Sequence, residues 1–180
     1  MALSHKQIHA LAMAGLMTAL AVVLQQLGAI TQAGSYLAAL LSGLTLIPAL
    51  ETGGIRYGWG IFTATLILSS LFVADKEIPV IWFLVCPYPL FLPMIRKHIG
   101  NHTLQELASY LIFLCAALLI YPIIFRIFML EDLAAETGLA NWLVSIGFFG
   151  ITSLFFFLYR KLYTLAEKRW RKISRILPKQ

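Results

Sequence analysis

Six apolar runs separated by short polar stretches constrain this sequence more than any motif does. They extend from Ile8 to Ile30, Tyr36 to Leu50, Gly58 to Ala74, Ile78 to Ile95, Leu107 to Leu130 and Trp142 to Tyr163. A helix needs about 20 residues to cross the hydrocarbon core of a bilayer. The runs lack the period-two alternation that a membrane β-barrel requires. The second and third are short, and Gly43 and Pro48 weaken the second, so neighbouring helices must cover both. The chain is 60% hydrophobic and only 12% charged, more apolar than a soluble domain of this length. The expectation is an all-α integral membrane protein: a six-transmembrane-helix bundle over residues 1–163, then a basic tail helix over residues 164–180. Only His5 and Lys6 supply basic charge ahead of the first run, which is longer than a signal core, so it is read as a retained helix.

Charge sets the expected orientation. With six spans both termini lie on one side. Lys6, Arg56, Arg96, Lys97, Arg160, Lys161, Lys168, Arg169, Arg171, Lys172, Arg175 and Lys179 share it, and only Lys76 and Arg126 fall opposite. The positive-inside rule then makes both termini cytoplasmic, in a multi-pass protein of the cell (plasma) membrane. The net charge of +6 belongs to that face and calls for no nucleic acid. The tail reads as a basic amphipathic helix at an anionic leaflet. Asp75, Glu77, Glu131, Asp132 and Glu136 lean to the outer side.

The chain lacks the residue patterns of an enzyme. It has no Gly-rich phosphate loop, no HExxH and no carboxylate deep in a span, where a proton path would need one. GGIRYG, at Gly53 to Gly58, reads as a turn. Cys86 and Cys115 sit in apolar runs and read as small buried hydrophobes. His98 and His102 are four apart without a nearby acid, so no metal site and no cofactor is expected.

One polar interruption stands out. Asp75, Lys76 and Glu77 form the turn between the third and fourth runs. Asp75 can cap the next helix, Glu77 suits its first turn and Pro79 an early helical position. Alternatively, the three charges rim an extracellular pocket with Trp82 about one turn deeper. Pro87, Pro89 and Pro93 each remove a backbone donor, so the fourth span is expected to be kinked or loosened.

The first span, HALAMAGLMTALAVVL, carries Ala10 and Ala14 four residues apart, with Gly15 and Ala19 beside them. Small side chains let helices approach closely in lipid. With the chain length, the six spans and the run LFVADKEIPVIWFLVCPYPLF, this resembles a substrate-binding S component of an energy-coupling factor (ECF) transporter, of an uncharacterised clostridial-type subfamily. The resemblance covers nearly the whole chain. It implies a subunit that captures a vitamin-like small molecule at the outer face. That subunit passes it through a T subunit, docked on Ala10, Ala14, Gly15 and Ala19, that is served by two ATPases. By position, it also implies ligand contacts at Gln25, Gln26, Tyr36, Asp75, Lys76, Glu77, Trp82, Arg126, Glu131, Asp132, Asn141 and Trp142. Those residues have plainer readings too: a helix end for Gln25 and Gln26, interfacial aromatics for Tyr36, Trp82 and Trp142, a snorkelling Arg126, and a solvated loop for Glu131 and Asp132. Two other functions fit the six-span plan: a structural membrane protein of cell-wall elongation, of the MreD type, and a small self-sufficient carrier. No internal repeat is visible in the sequence to support the carrier.

Overall fold

The computed structural model describes residues 4–31, 34–127 and 141–174, with backbone alone for residues 123–127, 141 and 144. The described residues form eight helices: α1 (His5–Thr31), α2 (Ser35–Gly43), α3 (Leu46–Gly53), α4 (Ile55–Phe72), α5 (Glu77–Val85), α6 (Pro87–His98), α7 (His102–Ile127) and α8 (Asn141–Ser174). Taking α2 with α3 and α5 with α6, they make six spans long and apolar enough to cross a membrane. Leu16, Ile67, Leu71, Leu119, Ile151 and Leu154 stand exposed on the outside of the bundle. In water such a surface would be costly; against lipid it is the expected one. The chain is an all-α, multi-pass membrane protein.

Both mid-span breaks trace to proline. Pro48 has no N–H, and its ring presses on the carbonyl four residues back, that of Leu44. The backbone tightens there into three-residue turns, with Leu44, Thr45 and Ile47 N–H donating to Leu41, Ser42 and Leu44 carbonyls at 3.0, 3.1 and 3.1 Å. The Ser42 and Thr45 hydroxyls donate to the Ala39 and Ser42 carbonyls at 2.9 and 2.7 Å, covering acceptors that the break exposes. In the fourth span Pro87 opens α6, where a missing N–H is tolerated. The interruption expected from the proline run falls at Cys86, between α5 and α6, where the backbone stays helical.

The two broken spans share a plan that the sequence conceals. α2 and α5 are each nine residues long, α2 packs on α5, and α3 packs on α6. The spans are therefore neighbours running the same way and broken at the same depth. Each follows a long helix, α1 or α4, and these two also pack on each other. Spans one and two and spans three and four thus share one order, a long helix followed by a broken one.

Packing divides the interior in two. One cluster joins Ala14, Ala21, Leu46, Ile61, Phe62, Trp82 and Cys86 between α1, α3, α4 and α5. The other gathers Tyr88, Phe113, Phe156, Tyr159 and Tyr163 between the broken spans, α7 and α8. Close approach favours glycine at several points, Gly28 and Gly43 among them. A Cβ on Gly28 would stand 2.2 Å from the Ala38 Cβ, and one on Gly43 would stand 2.6 Å from the Tyr159 hydroxyl.

α8 continues without interruption past residue 163 to Ser174, because no Gly or Pro occurs between Ile151 and Ser174. Its 34 residues extend about 51 Å, well beyond a hydrocarbon core of about 30 Å. The last turns pack on the bundle instead of lying apart. Glu167 takes a two-pronged bond from Arg96 of α6 at 2.7 and 3.1 Å, and Arg171 ties Glu167 to Glu51 of α3 at 2.6 and 3.0 Å. Glu106 of α7 pairs with Arg160 and, at 3.1 Å, with His102. This basic end is cross-linked by charge; residues 175–180 of the expected tail lie outside the described residues.

Candidate functional site

The other end of the bundle holds the Asp75–Glu77 turn, and most of its hydrogen bonds are internal. Asp75 Oδ1 accepts the Glu77 N–H at 3.1 Å, and Oδ2 accepts the Ser35 hydroxyl at 2.7 Å. The first bond supplies one of the amides left unpaired at the start of α5; the second ties that turn to the start of α2. Lys76 Nζ donates to the carbonyls of Ser70 and Val73 at 2.9 and 3.0 Å, closing the C-terminal end of α4. Glu77 is different. Its half-buried carboxylate makes no hydrogen bond or ion pair among the described residues. Half-exposed Tyr36 lies within electrostatic reach of both carboxylates, its ring edge-on to Phe155 at 6.4 Å.

Below this turn, Gln25 is fully buried between α1 and α2. Its Nε2 faces the Ser42 hydroxyl oxygen at 3.2 Å. Ser42 has a single hydroxyl proton, and the Ala39 carbonyl takes it at 2.9 Å. With Ser42 accepting from Gln25 Nε2 both bonds are made at once, and the flipped amide would forfeit one of them. The atom left over is the carbonyl Oε1, buried and unpartnered, and the Gln26 Oε1 beside it is also unpartnered. A buried acceptor without a donor costs about 1–3 kcal/mol. Ser42 lies seven residues beyond Ser35 on α2, so Gln25 sits about 10 Å deeper than Asp75. The Gly28–Ala38 contact closes the α1–α2 seam between the two levels, and a molecule reaching Gln25 by that route must part the helices there.

The sequence-selected residues thus divide. Gln25, Gln26, Tyr36, Asp75, Lys76 and Glu77 gather at one end of the bundle, between α1, α2 and the α4–α5 turn. Trp82 does not line that turn. It is fully buried and donates from Nε1 to the Phe62 carbonyl at 3.4 Å, because its place on α5 faces α4 and the first core cluster. Trp142 is exposed near the start of α8. Asn141 and Arg126 are described by backbone alone, and Glu131 and Asp132 lie outside the described residues. On α1, Ala10 and Ala14 turn into the bundle, while Gly15 and Ala19 face outward, with nothing within 4 Å of a Cβ built on Gly15. Among the described residues no group of three His, Cys, Asp or Glu could hold a metal ion.

Sequence reasoning missed Ser35 and Ser42, which position Asp75 and Gln25. Their signal was weak, since small polar residues are common where spans begin or break. It also missed the buried, unpartnered hydroxyls of Thr65 and Tyr159, which nothing in a single sequence separates from core residues.

No family model, no curated protein and no solved structure matches this chain.

Proposed function

We propose that this protein is the substrate-binding subunit of a multi-component importer, of the S-component kind that its sequence resembles. It takes up a vitamin-like small molecule at the end of the bundle opposite its charged termini. It delivers that molecule through a T subunit driven by two ATPases. The observation that carries the reading is the Gln25 amide oxygen. In a membrane interior, where water offers little relief, a fully buried acceptor without a donor is the kind of group that a ligand completes. The MreD-type alternative needs no such group, and the internally bonded Asp75 and Lys76 would suit it equally well. The docking face for the T subunit in this reading is the outward side of α1 at Gly15 and Ala19, where small residues are open to a partner helix.

The test is to purify the protein from its native membrane and examine it by native mass spectrometry. A stoichiometric small molecule, whose return to stripped protein raises the melting temperature, is the expected result. Uptake of that molecule should then require a T subunit and ATPases. A protein that emerges empty, and that no member of a broad metabolite panel stabilises, would leave the structural alternative standing.

A further inference from the structure

Two unpartnered groups at this end are acceptors. Gln25 Oε1 is an acceptor by the Ser42 argument, and Glu77 is an acceptor carrying a negative charge without a bonding partner among the described residues. The nearby cation, Lys76, spends two of its three N–H donors on the Ser70 and Val73 carbonyls, which turn it back toward the end of α4. The hydroxyl of Ser35, a natural donor, already serves Asp75. A ligand bearing carboxylate or phosphate would meet the Gln25 acceptor and, at the turn, two carboxylates against a single ammonium. Such a pairing is repulsive and leaves buried polar atoms unsatisfied on both sides.

Resting on the binding-subunit reading above, we infer that the transported molecule is a cation bearing N–H donors. An aromatic or heteroaromatic amine or amidine has the required chemistry. Its N–H groups reach the Gln25 carbonyl oxygen, and its positive charge lies toward Glu77 and Asp75. The distance of about 10 Å between those levels suits a ring-bearing molecule with donors toward both ends. Tyr36, beside both carboxylates, supplies an aromatic face to a cation at the mouth.

Two measurements on the full-length protein in nanodiscs test this. In the first, native mass spectrometry identifies the co-purifying molecule. In the second, melting curves are recorded with benzylamine, benzamidine and tryptamine, and with the matched acids benzoate and indole-3-acetate. Stabilisation confined to the amine and amidine arm is expected. Glu77→Gln and Gln25→Leu should each weaken binding about tenfold or more, as for loss of a desolvated partner, whereas Lys76→Gln should change it less than about threefold. If Gln25→Leu fails to fold, Glu77→Gln alone carries the comparison, since that side chain has no internal bond to lose. Retention of an anionic molecule, or loss of binding in Lys76→Gln, overturns the cation assignment while leaving the binding-subunit reading intact. An empty protein stabilised by neither arm overturns both.

Discussion

At the scale of single residues, the pair Gly43 and Tyr159 is a sensitive point in the interior. The Tyr159 hydroxyl is fully buried, has no partner, and lies where a side chain on Gly43 would have to go. Gly43→Ala should therefore destabilise the protein by about 1–3 kcal/mol through overpacking. Tyr159→Phe should be neutral or slightly stabilising, because it removes a polar atom that has no bond to lose. The double variant should recover most of the loss, since the atom in conflict is gone. Thermal melts of the four proteins check this, and additive losses would show that the hydroxyl is not the obstacle. Asp75 offers a contrasting case, since both of its oxygens are engaged within the protein. Asp75→Ala should cost about 1–2 kcal/mol even without ligand, the usual range for losing a helix-end acceptor. A melting temperature unchanged in Asp75→Ala would mean that the turn is held by other contacts.

At the scale of elements, the two broken spans and the first helix matter most. Proline placement made the fourth-span interruption legible in the sequence, but the side-by-side pairing of the two breaks was not. Register between distant helices depends on contacts that no local pattern records. On α1 the period of small residues was readable, yet which side faced inward was not. The structure turns Ala10 and Ala14 toward the bundle and leaves Gly15 and Ala19 outside. Trp replacements should separate the two faces. Ala10→Trp or Ala14→Trp should lower the melting temperature of the isolated protein, whereas Gly15→Trp or Ala19→Trp should not. If the proposed T-subunit contact is on the outward face, the latter pair should block co-purification with that subunit while ligand binding persists. Assembly surviving in both outward variants would place the contact elsewhere.

At the scale of the whole molecule, charge closes one end of the bundle. Glu167 lies largely buried between Arg96 and Arg171, and Arg171 reaches Glu51, so two carboxylates and two guanidinium groups join α3, α6 and α8. Glu167→Gln should destabilise the protein by about 1–3 kcal/mol, because two guanidinium groups lose their charged acceptor together. Surface pairs of this length usually contribute far less, so a loss near zero would mark the network as solvated. Orientation in the membrane is open to direct measurement. In a Cys-free background, Lys76→Cys should react with an impermeant thiol reagent on intact cells and Ser174→Cys should not, as the distribution of basic residues requires. The reverse pattern would put the Gln25 site on the cytoplasmic face.

The sequence by itself determined that this chain is helical, that it carries six segments long and apolar enough to cross a membrane and that its fourth span is interrupted. Hydrophobic run length and the missing proline amide are local properties, readable without knowing what packs where. It also brought Gln25, Gln26, Tyr36 and Asp75 to Glu77 toward one end, because alternation of spans alone sorts residues by side. Tertiary structure alone decided what each of them does there. Lys76 looked like part of a pocket rim and reaches back to the carbonyls at the end of α4; Trp82 looked like a pocket floor and is core; Gln25 looked like a helix end and is the buried acceptor left unpaired. The reason is common to all three. Whether a polar group is satisfied depends on the atoms that reach it across the bundle, and those are set by helix packing and not by neighbours in the chain.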